Sequence, residues 1–160
     1  MVPTEIYVIF AGIVVLAILI ALSRGGTTTL PYFSREALLS DGELAFYGAL
    51  RQSIPQGVGV SMKVRLADIL DCPPAAKQQG YFSKVSQKHL DFVLYDLTTT
   101  RILAGVELDD RSHEQPRRQA RDTFVNQAMA TADVPLIRVA AAKAYDLRQI
   151  RSLVASALAN

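Results

Sequence analysis

Apolar positions change rhythm several times along the chain, and each change predicts an element. From Ile6 to Leu22 there is no charge, and the only polar group is the Tyr7 hydroxyl. A helix over 6–22 spans roughly 25 Å at about 1.5 Å per residue. That is near the short end of what crosses a hydrocarbon core. Residues 23–37 read as a linker that opens with the Gly/Thr-rich stretch SRGGTTTLP. Residues 38–160 carry the alternating patterns of one α/β domain.

Within that domain, Ser40 and Glu43 have capping-box spacing. Phe46, Ala49 and Leu50 then recur at helical spacing, which predicts a helix over 41–53 ended by Ile54-Pro55-Gln56-Gly57. Strict alternation follows. Val58, Val60, Met62, Val64 and Leu66 point one way, and Gly59, Ser61, Lys63 and Arg65 the other, as in a strand with one buried face. Beyond Pro73-Pro74 the mixed pattern of 75–89 predicts a helix ending near His89. Leu90–Tyr95 and Ile102–Leu108 are apolar runs joined by the polar turn DLTTTR, a hairpin buried on both faces. Pro116 opens a helix to about Ala132, and Val134–Val139 is a further strand. Asp146 caps a last helix with Leu147, Ile150, Leu153, Val154 and Leu158 inside. The strand–helix–strand step from Leu103 to Val139 predicts a right-handed parallel crossover.

The 160 residues fit one domain plus an additional segment, and a net charge of +2 gives no global basic field. The single cysteine, Cys72, excludes an internal disulfide and suits a reducing compartment. No Lys or Arg precedes the apolar run, whereas Arg24 and Arg35 follow it. The positive side is therefore C-terminal, which predicts a single-pass helix in the inner (cytoplasmic) membrane with the C-terminal domain in the cytoplasm. A cleaved signal peptide is the rival reading: Ala21 and Ser23 resemble a cleavage site, but the lead-in MVPTE lacks a basic n-region. A buried core helix is a third, less consistent with the length.

Two acids interrupt the hairpin strands, Asp91 and Glu107, and burying a carboxylate costs several kcal/mol unless something compensates it. Asp109 follows Glu107 by two, so both share a strand face about 7 Å apart. Like charges gathered there raise one another's pKa. A divalent cation resolves the conflict, and oxygen ligands of this kind favour Mg²⁺. The alternative is that these acids sit at strand ends and pair with arginines such as Arg111, Arg117, Arg118, Arg121 or Arg138. His113 could act as a base, contact a phosphate or do neither. Glu43 already has a role as capping-box partner. Arg117, Arg118 and Arg121 lie near one helix face, to grip phosphates or simply to meet solvent or a membrane surface.

The blocks HLDFVLYD, AGVELDDRSH, RQARD and PLIRVAAAKAYD occur in that order. With them the domain resembles domain-of-unknown-function family 2726 (DUF2726), from about Leu38 to the C-terminus. That family is in turn similar to the very-short-patch-repair (Vsr-like) branch of the PD-(D/E)XK nuclease superfamily. The branch pattern is an Asp on one strand, then Glu-x-Asp-Gly-x-x-His on the next. Asp91, Glu107, Asp109 and His113 fall on these positions, and Glu43 matches an acid of the first helix. Asp110 replaces the Gly, Leu90 the Pro before the first acid, and Asp109 the superfamily's Lys.

The resemblance implies a restriction-endonuclease-like three-layer α/β/α sandwich with a mixed sheet. It also implies Mg²⁺- or Mn²⁺-dependent hydrolysis of nucleic-acid phosphodiesters. Asp91 and Glu107, with Glu43 nearby, would hold the metal, and Asp109 or a backbone carbonyl would complete the shell. His113 would orient or deprotonate the water, and Arg117 or Arg121 would contact the scissile strand. The alternatives are a catalytically inactive endonuclease-like module that holds nucleic acid or a partner protein at the membrane, and a structural adaptor whose arginine helix meets anionic lipid.

Overall fold

The computed structural model describes residues 3–23, 30–109 and 116–159. The chain divides into two compact units, Met1–Glu36 and Ala37–Asn160. The first contains one helix, α1 (Thr4–Ser23). Its apolar side chains are exposed all round, with Val8, Phe10, Ile13, Leu16 and Leu19 each more than half accessible. Among the described residues, no helix is long and apolar enough to cross a membrane. The expected membrane-spanning helix over 6–22 therefore lacks support. The charge-free run over 6–22 covers about 25 Å of helix, short of a roughly 30 Å hydrocarbon core.

The second unit is α/β. It comprises α2 (Asp41–Ser53), β1 (Val58–Arg65), a 3₁₀ turn (Leu66–Asp68), α3 (Pro74–Gln78), α4 (Tyr81–Ser86), β2 (His89–Asp96), β3 (Ile102–Asp109), α5 (Pro116–Thr131), β4 (Leu136–Ala140) and α6 (Leu147–Leu158). The strands form one mixed sheet in the order β1-β2-β3-β4. β1, β2 and β3 pair antiparallel, and β4 joins β3 in parallel, as expected from the intervening helix.

Local chemistry explains most boundaries. α2 begins with the complete capping box, in which Ser40 Oγ accepts from Glu43 N–H and Glu43 accepts from Ser40 N–H. Asp146 caps α6 by accepting from Arg148 N–H. The hairpin turn is held by Asp96 Oδ1, which accepts from the backbone N–H of Thr98 and Thr99 and from the Thr99 hydroxyl. The helix expected over 75–89 is instead two short helices. Gly80 separates them at φ +80°, a left-handed conformation that ends α3 and opens α4.

The hairpin is buried on both faces, and two separate cores form. Phe46 and Leu50 of α2 and Ile150 and Val154 of α6 pack on Phe92, Leu94, Ala104, Val106, Ile137 and Val139. Val125 and Met129 of α5 pack with Leu66, Leu70, Val85, Leu90 and Val93. Gly105 lets α5 come close: a Cβ there would lie 2.6 Å from Leu90 Cδ1 and 2.8 Å from Met129 Cε.

β1 departs from the expected alternation. Val58, Val60 and Met62 pack on the α2/α6 core, but Val64 and Leu66 belong to the α5 core. The phase changes at Lys63, whose φ of +53° is left-handed. A lysine rarely adopts that conformation, and strain of this kind persists only where the surroundings over-determine it. On the paired strand the phase changes beside it, with Phe92 in one core and Leu90 in the other.

Candidate active site

The phase change lies where the sheet carries its charges. Met62 pairs with Phe92 and Val64 with Leu90, which sets Lys63 across from Asp91. Phe92 pairs with Val106, which sets Asp91 across from Glu107. Glu107 pairs with Arg138. One row of residues therefore crosses all four strands in the order Lys63, Asp91, Glu107, Arg138. Directly opposed residues share a sheet face, so the two acids that interrupt the hairpin are neighbours.

A cleft of about 290 Å³ opens over this row, lined by Glu43, Asp91, Glu107, Leu108, Asp109, Arg121 and Asp122. All four carboxylates singled out in the sequence thus face one space. Their environments differ. Asp91 is fully engaged: Oδ1 accepts from Lys63 Nζ at 3.0 Å and Oδ2 from Leu108 N–H at 3.0 Å. Glu43 divides its oxygens, Oε2 to the Ser40 N–H and Oε1 to Lys63. Capping and the site are thus served by one side chain. Burial pushes the Glu43 carboxyl up, but the hydrogen bonds from Lys63 and Ser40 bring it below the usual range. Burial likewise lowers Lys63, and its bonds to Glu43 and Asp91 carry it above the ordinary lysine value. Asp109 is ion-paired with Arg138, which also donates to Asn126 Oδ1 at 3.0 Å.

Glu107 is the exception. It is 5% exposed, and its Oε1 accepts no hydrogen bond. Arg121 Nη2 stands 3.5 Å from that oxygen while donating to the His89 carbonyl at 3.1 Å. Burial, then the neighbouring Asp91 charge, raise the Glu107 carboxyl to about 7. A carboxyl so displaced, in a polar cleft beside a second carboxylate, marks a candidate functional site.

The structure thus brings together Glu43, Asp91, Glu107, Asp109 and Arg121. His113 lies outside the described residues, and so does the side chain of Arg117. One residue of the site is not evident in the sequence pattern: Lys63 sits at an alternating position that predicts solvent. Arg138 is among the arginines expected to pair with the acids, and it does so with Asp109.

The model of the family described as "Protein of unknown function (DUF2726)" matches residues 35–158. The chain belongs to this family. No curated protein and no solved structure matches this DUF2726 chain. The match covers every strand of the sheet and every residue of the cleft.

Among the described residues, no group of three or more His, Cys, Asp or Glu side chains is placed to hold a metal ion. A closed protein cage is thereby disfavoured. Mg²⁺ asks for less, one or two carboxylates with the remaining positions taken by water and phosphate. Asp91 and Glu107 fit that requirement, and the unsatisfied Glu107 Oε1 is the atom a cation would satisfy.

Proposed function

We propose that this chain is a membrane-bound nuclease that hydrolyses nucleic-acid phosphodiester bonds with Mg²⁺ or Mn²⁺, on a restriction-endonuclease-like fold of the Vsr-like branch. The observation that carries the reading is the pair Asp91 and Glu107, opposed across β2 and β3 in a polar cleft, with Glu107 buried and unsatisfied. In this reading Asp91 and Glu107, with Glu43 nearby, would hold the ion, and Asp109 or a backbone carbonyl would complete its shell. The metal, when bound, lowers the pKa of its water and neutralises charge on the phosphate. Lys63 and the Leu108 N–H fix the Asp91 carboxylate from two sides. Arg121 lies partly exposed beside Glu107, which supports a role in contacting a phosphate of the scissile strand. His113 would orient or deprotonate the water, and Arg117 is the other residue that would contact the scissile strand.

Membrane attachment in this proposal rests on α1. A helix apolar all round needs an apolar surrounding, and a bilayer supplies one. Flanking residues and local thinning of the bilayer would absorb the shortfall in length. The domain then faces the cytoplasm, on the side of Arg24 and Arg35.

One observation favours a second reading. Lys63 already ion-pairs with both Glu43 and Asp91, as would suit a binding module that needs no cation. The test uses the full chain in detergent with plasmid, single-stranded DNA and RNA, in Mg²⁺, Mn²⁺ or EDTA. Cleavage that needs metal and disappears in Asp91→Asn and Glu107→Gln supports the nuclease. Binding without cleavage, unchanged in both variants, supports the module. If nucleic acid is neither bound nor cut, both readings fall.

A further inference from the structure

Away from the carboxylates, three lysines each lie over an aromatic ring. Lys84 Nζ is 4.4 Å from the centre of the Tyr81 ring, Lys88 Nζ 4.7 Å from Phe124, and Lys77 Nζ 5.4 Å from Phe82. Lys77 is ion-paired with Asp71. Among the described residues, Lys84 and Lys88 have no carboxylate partner, and Lys88 donates to the Lys84 carbonyl. The rings are not concealed: Tyr81 is 49% exposed and Phe82 37%. Tyr81 and Phe124 also border an apolar cavity of about 410 Å³ between α4 and α5, with Leu70, Val85 and Ala128 behind them.

This patch is connected to the cleft. Lys88 precedes His89, whose carbonyl accepts from Arg121, and Phe124 follows Arg121 by one turn of α5. Cations and aromatic faces therefore run from the carboxylates to the cavity through Arg121, Lys88, Phe124, Lys84 and Tyr81. Duplex DNA buries its base faces, so exposed aromatic rings gain little from it. An unpaired strand offers a base to stack and a phosphate at each step.

We propose that the α4–α5 face binds a single-stranded stretch of the substrate, with one unpaired base entering the cavity beside Tyr81 and its flanking phosphates held by Lys84 and Lys88. The inference rests on the nuclease reading and names the form of nucleic acid that it takes.

The test measures binding of fluorescein-labelled oligonucleotides, single-stranded and duplex, to the full chain in neutral detergent. Glu107→Gln is the background, so that cleavage does not intrude. Tyr81→Ala is expected to weaken single-strand binding about tenfold or more, and Tyr81→Phe to leave it unchanged. Lys84→Gln with Lys88→Gln should flatten the dependence of log affinity on log salt by about 1.4, or roughly 0.7 per phosphate contact. Duplex binding should respond little to Tyr81→Ala. The inference is overturned if the chain cuts nucleic acid but none of these variants alters binding or KM, an outcome that leaves the nuclease reading intact. It is also overturned if the variants lose affinity for phosphatidylserine micelles and keep it for the oligonucleotide, which would assign the patch to lipid headgroups. Absence of any nucleic-acid binding by the unsubstituted chain overturns the nuclease reading itself.

Discussion

Glu107→Gln is the most informative single substitution, because the carboxyl it removes ties fold stability to pH. In the folded chain Glu107 keeps its proton up to about 7, against an ordinary value of 4.5. Below 4.5 both states are protonated and this group leaves stability unaffected by pH. Between 4.5 and about 7 the unfolded chain releases the proton and the folded chain retains it, so stability falls as pH rises. At roughly 1.4 kcal/mol per pKa unit the loss is about 3 kcal/mol, complete above pH 7. Glutamine keeps the shape and removes the charge. The variant should match the parent near pH 4.5 and exceed it by about 2–3 kcal/mol at pH 8. Urea unfolding of the full chain in detergent, followed by far-UV circular dichroism at several pH values, measures the difference. Mg²⁺ at pH 8 should raise the parent's midpoint, since binding to the folded state alone adds stability, and should leave the variant unmoved. Parallel stability curves for the two proteins from pH 4.5 to 8 would refute the claim that burial outweighs the nearby arginines at Glu107.

Three other outcomes are expected. Lys63→Met removes the hydrogen bonds to two partly buried carboxylates and should cost about 1–3 kcal/mol, read as a lower urea midpoint at pH 7. Gly105→Ala forces a methyl against Leu90 and Met129 and should cost about 1–3 kcal/mol, seen as a lower melting temperature with an unchanged fold by circular dichroism. Leu16→Arg places a charge within α1, whose cost at the centre of a membrane helix is about 3 kcal/mol. On the proposed membrane attachment, cell fractionation should find the variant shifted from the membrane pellet toward the supernatant.

Much of the fold is written locally. The Ser40/Glu43 spacing specifies the start of α2, the polar turn specifies the hairpin, and Asp146 specifies the start of α6. Each depends on groups within a few residues of one another. The acids of the site are legible for a related reason: a carboxylate inside an apolar strand is an anomaly that needs a cause. Lys63 is not legible, because its left-handed backbone comes from two cores pulling on either side of it. The pattern of β1 taken alone assigns it to solvent. The division of 75–89 into two helices depends on Gly80, whose freedom to adopt positive φ is visible only once the chain must turn there.

The unusual conformation at Lys63 means that β1 belongs to two hydrophobic interiors and changes allegiance at the residue that grips Asp91. Repacking on either side of the sheet will be transmitted to that one ammonium group. The carboxylate row is therefore exposed to drift in residues far from it, and a change such as Val64→Ala should register at the cleft before it registers as unfolding.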